Sequence, residues 1–452
     1  QQMAKAGGGT FSQPLMSDNT GGLLFNNVQI APNRFVLAID GQGNPGPVVL
    51  EATPTTEVTT SQTGPFNNMG VPGAKSFHLV APGYGNPNGI LLDASNPYFA
   101  RFATSENATV LEDAISLNPT FFTLWIGNND VLSFATSGGV GINQTGNLDP
   151  STYGENDLTD PNVFASVLND QVNALTANGA KGVLLNIPDV TSIPFFTTVP
   201  FAPLSPLDPD FGPQIPTLNA TYAQLNQAFA FLGVPERAIV FSETAASAVV
   251  IKDEDLIDIS AALTQVLIQG GLDAPTATIY GLQYGQARQA TAADLILLTS
   301  STEIGQVNTG RVEALVALGV PQATATQLAV NGITYPMEDA LVLTQTESAM
   351  VKNLTAAYNI TIAGLAAANG LAFVDANAAL AEVAAAGVGI DGGLLTSEYV
   401  TGGAFSLDGV HPTPQGYAYT ANLVIEAINN TYGATIPKVA VGSYPTITLH
   451  NN

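Results

Sequence analysis

Apolar and polar positions along the chain switch between helical and extended periods, and the switches mark the predicted elements. Asn107 is placed to cap a helix whose apolar positions Val110, Leu111, Ala114 and Leu117 keep helical spacing up to Pro119. TFFTLWI (120–126) follows as a continuous apolar run, which predicts a buried strand. Asp160 and Pro161 open a second helix with Phe164, Leu168, Val172 and Leu175 on one face, and Gly179 is placed to end it. GVLLNI (182–187) reads as the next buried strand. Further on, Val351, Leu354, Tyr358 and Leu365 fall in helical register up to Gly370, and LAFVDA (371–376) reads as a strand. A last helix is predicted from about Gln415 to Asn429, with Tyr417, Ala421, Val424 and Ile428 aligned.

This alternation predicts an α/β fold with a mostly parallel sheet, whose functional residues gather on loops at the carboxyl ends of the strands. The rhythm breaks between 196 and 345. There Pro200, Pro203, Pro206, Pro209, Pro213 and Pro216 punctuate an irregular stretch before helical and short strand-like pieces resume. The expected organisation is a core of residues 1–195 and 346–452, with 196–345 as an insertion or cap. No internal repeat is seen, and the tail 431–452 reads as extended and β-prone.

Composition narrows the function classes. The chain has 452 residues, 46% of them hydrophobic and 10% charged, which suits a folded globular protein. No run of eighteen apolar residues predicts a transmembrane helix. The start QQMAKAGGGTFSQPLM has no apolar signal region, so the protein stays inside the cell or a targeting segment has been removed. Against 11 Lys and Arg stand 36 Asp and Glu, a net charge of −25, which repels phosphate backbones and argues against a nucleic-acid partner. With no cysteine, disulfides, thiolate metal sites and a cysteine nucleophile are excluded. Three histidines in all make a histidine-rich metal centre a poor expectation. Few lysines, no cysteine and abundant Asn, Thr and Gly suit an extracytoplasmic bacterial protein.

Of those histidines, His450 lies near the end of the sequence and is expected to be inert, and His78 follows Phe77 in an apolar stretch that favours a structural role. His411 differs. It sits in LDGVHPTPQGY, a Gly/Pro-rich loop before the last helix, three residues after Asp408. That spacing allows the carboxylate to reach the imidazole Nδ1–H, fixing the tautomer and leaving Nε2 free as a general base. Two further features stand on loops. IGNND (126–130) leaves the first strand, where Gly127 permits a sharp turn and Asn129 can present its amide to a developing oxyanion. NMGVPG (68–73) is a turn whose backbone N–H groups, that of Gly73 among them, can do the same. Singly, each has a plain reading as a turn or a surface residue.

Together, the order N-x-G-x-x-G, G-x-N-D and D-x-x-H resembles blocks II, III and V of the SGNH hydrolases, also called the GDSL family. The likeness covers most of the chain outside the insertion and extends to NIPDVTSIP (186–194), LAFVDA and FSQPLMSDNTGG, in the style of large GDSL-type proteins of Bacteroidetes. It implies a three-layer α/β/α core and ester hydrolysis through a serine. His411 would be the base, Asp408 its orienting acid, and Gly73 and Asn129 the oxyanion donors, with no cofactor. The implied partner is a small-molecule, glycan or lipid ester. The implied location is extracytoplasmic, as a periplasmic or outer-membrane-anchored lipoprotein whose signal lies outside this sequence.

The G-D-S-L turn that carries the nucleophile in block I is not found. Ser17 in MSDNTGG has an acidic neighbour but no preceding strand. The resemblance therefore places the serine upstream of Gln1. The alternative expectation is a non-catalytic surface binding module. Other motifs fall away. G-x-S-x-G and the P-loop pattern are absent. GQGNPG (41–46) is followed by Pro47 and VVLEAT where a dinucleotide site needs a helix, so it reads as a turn between strands.

Overall fold

The computed structural model of the chain describes residues 9–39 and 43–450. These fall into two compact units. One comprises residues up to Ser133, then Ile142–Pro194 and Lys352 onward; the other comprises Phe134–Gly141 and Phe195–Val351. The fold is mixed α/β, with one parallel sheet of three strands and several antiparallel pairs.

The parallel sheet belongs to the first unit. Helix α1 (Val110–Ser116) is capped by a reciprocal pair: the Thr109 hydroxyl accepts from the Glu112 N–H, and Glu112 accepts from the Thr109 N–H. The cap is thus Thr109 rather than Asn107. The chain then enters β1 (Phe121–Leu124), turns into α2 (Asn129–Thr136), and continues through α3 (Pro161–Thr176) into β2 (Lys181–Leu185). Asp160 caps α3 with its carboxylate on the N–H groups of Asn162 and Val163. Helix α4 (Gln345–Ala368) leads to β3 (Ala372–Val374), then α5 (Ala376–Ala385) and α6 (Pro414–Tyr432).

The order β3-β2-β1 puts β2 in the middle, and burial follows position: β2 is buried from Gly182 to Leu185. In β1 only Phe122 is buried and Thr123 is exposed. The expectation of a fully buried strand at 120–126 is corrected, because β1 stands at the edge of the described sheet and is shorter than its apolar run. Val183, Leu185, Ala372 and Val374 project to one face, where Ile428 of α6 covers them with Leu423 and Val424. Elsewhere in the unit Phe164 of α3 stacks on Tyr358 of α4 at 4.3 Å, and the Tyr358 hydroxyl donates to the Thr159 carbonyl. Strands Phe35–Ile39 and Pro45–Val49 form an antiparallel pair around GQGNPG, whose Gly41 and Gln42 lie outside the described residues. The tail is bridged at Leu449 to Leu37.

The second unit has its own core. Phe211, Tyr222, Phe229, Phe241 and Val249–Ile251 pack against a helical hairpin, Ser260–Gln269 and Ala274–Tyr284. A buried ion set ties its strands: Arg288 meets Asp253 at 2.7 Å and Asp294 at 2.6 Å. Phe134–Gly141 joins this unit by close approach, since a Cβ on Gly138 would lie 2.2 Å from the Asp339 carbonyl. No helix among the described residues is long and apolar enough to cross a membrane.

Candidate active site

Both loops that follow a strand or precede a helix at the cavity owe their shape to local chemistry. After β1 the chain turns at Gly127, whose φ of 110° is unfavourable for a residue with a side chain. A Cβ there would also meet Ile187 at 2.7 Å and Phe164 at 2.8 Å. The turn delivers Asn129 to the first position of α2, with Asp130 next to it.

Before α6, residues 403–413 fold back on themselves. The Ser406 N–H donates to the His411 carbonyl at 2.7 Å, and Thr413 caps the helix while its hydroxyl donates to the Gly403 carbonyl. Within this loop Asp408 accepts from the N–H groups of Val410 and His411, both at 2.9 Å, and from the Ser406 hydroxyl at 2.7 Å. Its other oxygen lies 2.7 Å from His411 Nδ1.

This pairing sets the charges. Burial works against the Asp408 carboxylate, but the bonds from His411, Ser406 and Val410 hold its pKa down to about 2. The hydrogen bond to Asp408 raises the His411 pKa above the ordinary imidazole value, against the pull of burial. His411 Nε2 makes no hydrogen bond among the described residues, and 66% of the side chain is exposed. The imidazole is oriented on one side and open on the other.

A cavity of about 310 Å³ joins the three loops. Gly73, Asn129 and His411 all line it; Asp408 stands behind His411. The Gly73 N–H has no acceptor among the described residues. Asn129 gives one amide hydrogen to the Ala74 carbonyl at 2.9 Å and keeps the other. The rest of the wall is mainly apolar, from Trp125, Ile193, Leu380, Val383, Leu395 and Leu423, with Tyr417 and Tyr419 among them.

Among the described residues no serine lines this cavity. Ser17 is exposed at a bend and gives its N–H to the Thr56 hydroxyl. His78 is half-buried away from the cavity wall. Its ring stacks on Tyr84 at 4.5 Å, its Nδ1 accepts the Lys75 N–H, and burial lowers its pKa to about 4. Among the described residues no group of three or more acids and histidines is arranged to hold a metal.

Sequence reading placed Asp130 in the G-x-N-D motif without giving it a role and did not single out Lys75; both are buried, beside Asn129 and Ala74. The available signal was weak: Asp130 stands directly before the apolar Val131 and Leu132, and Lys75 has only Ala74 and Phe77 as apolar neighbours. In comparisons with known proteins, no family model, no curated protein and no solved structure matches this chain.

Proposed function

We propose that the chain is the main part of a serine-type carboxylic ester hydrolase of the SGNH kind, built on a three-layer α/β/α core. The observation that carries this reading is one cavity wall shared by an oriented, open imidazole and two uncommitted N–H groups, from Gly73 and Asn129. A serine Oγ placed there attacks the ester carbonyl carbon while His411 Nε2 takes its proton. The carbonyl electron pair moves onto oxygen, which receives the Gly73 and Asn129 N–H groups. Collapse expels the alcohol with the proton from His411, and water repeats the cycle to free the acid. This reading requires a serine nucleophile within reach of His411 Nε2, which the described residues lining the cavity do not supply.

The apolar wall favours the acyl side of an ester over a glycan, because it offers few groups to satisfy buried hydroxyls. A fluorophosphonate probe on the product of the complete reading frame tests the reading. A labelled serine upstream of Gln1, with labelling lost in His411→Ala, supports it. A labelled serine within the chain would overturn the nucleophile assignment.

One observation favours a second reading, a non-catalytic binding module: among the described residues the cavity wall contains no serine. A folded complete product that takes no label would establish that reading instead.

A further inference from the structure

Asp130 is fully buried, an expensive place for a carboxylate unless its bonds hold something together. It sits one residue after Asn129, at the start of α2. Its oxygens accept the Ser76 N–H at 2.8 Å and the Ser76 hydroxyl at 2.7 Å. Asn129 meanwhile grips the Ala74 carbonyl at 2.9 Å. The segment that starts at Gly73 is therefore clasped twice by consecutive residues of another loop. Lys75, between the two clasped residues, is 2% exposed and donates to the Asp157 carbonyl at 2.6 Å, with its positive charge beside Asp130. On the other side, Asn96 donates to the Pro72 carbonyl at 2.8 Å. Gly73 is the one residue of this stretch whose N–H is left to the cavity.

We infer that Asp130 is the positioning residue of the oxyanion site: through Ser76 it fixes the Gly73 N–H relative to the Asn129 amide. This rests on the hydrolase reading above. Two donors act together on one oxygen only if their separation is set before the charge develops, and a misplacement of about 1 Å can cost on the order of 100-fold in rate. A bond network that only stabilised the fold would not need to tie these two loops at the residues flanking both donors.

The test uses the product of the complete reading frame, a p-nitrophenyl ester, and active sites counted by fluorophosphonate titration. Asp130→Asn keeps the shape but replaces one acceptor oxygen with a donor facing Ser76. It is expected to lower kcat per titrated site at least 30-fold while KM stays within twofold, since transition-state contacts alone are lost (; about 30-fold is the size expected for a partly misplaced donor). Ser76→Ala, which removes only the hydroxyl bond, should show the same split at roughly 5-fold and carries the test if Asp130→Asn fails to fold. A kcat per titrated site within twofold of wild type in the folded variants, or a rise in KM alone, would overturn the inference while leaving the hydrolase intact. A wild-type protein that takes no label would overturn both.

Discussion

His78 and His411 are the same side chain in opposite surroundings. His78 lies between Phe77 and Tyr84, its pKa lowered to about 4 by burial and by the Lys75 charge, which favours the neutral ring. His411 leans on a carboxylate, its pKa raised, with its outer nitrogen facing a cavity. Burial alone makes a packing element of an imidazole. A half-buried acid on one side and open space on the other suit it, in the proposed hydrolase, to take and return a proton.

The sharpest way to break this comparison is to remove each ring. In the complete product, His411→Ala should lower acylation by on the order of 10⁴-fold with the fold kept, measured as the rate of fluorophosphonate labelling. Unchanged labelling would end its role as base. Asn129→Ala should follow at about 10²–10³-fold in kcat, and a loss under threefold would remove Asn129 from the oxyanion site.

The pH profile sharpens the contrast more finely. If His411 is the base as proposed, its neutral form is the active one, and because its pKa is raised, activity should climb with pH through a midpoint above about 6.5. Asp408→Asn removes the anionic partner, and that midpoint should shift to lower pH. No shift would mean that the pair does not govern the rate. The smallest effect on turnover belongs to His78→Phe. It strands the Lys75 N–H and should cost about 1–3 kcal/mol of stability, seen as a lower melting temperature, with turnover moved far less than by His411→Ala.

Much of this was legible along the chain. Asp408 and His411 sit three apart on a turn rich in Gly and Pro, so local spacing already allowed their contact, which the structure shows at 2.7 Å. The helices α3 and α4 showed their faces because each buries one stripe; in α6, of the aligned Tyr417, Ala421, Val424 and Ile428 only Ile428 is buried, and Tyr417 is exposed. The misses have physical causes. Thr109 and Asn107 are both capping residues, and only the reciprocal bond to Glu112 decides between them. An apolar run cannot report whether a neighbouring strand covers it, so β1 read as buried when Thr123 is open. Asp130 depends on Ser76, 54 positions away, and no local pattern announces such a partner. Phe134–Gly141 joins the second unit through contacts far more distant in sequence, Gly138 with Asp339 and Gly139 with Glu347, with only the Gly138–Gly139 pair as a hint of close approach.

Trp125 is the only tryptophan in the chain, and it stands in the cavity wall with its indole N–H on the Asn186 carbonyl at 3.1 Å. The chain thus carries one indole fluorophore, excitable apart from its 13 tyrosines and placed where an occupant would arrive. Excited selectively, its emission comes from this wall and from nowhere else in the molecule. Any guest that displaces water from the indole face should move that emission to the blue, so occupancy can be followed optically in an unlabelled sample, catalysis or no catalysis.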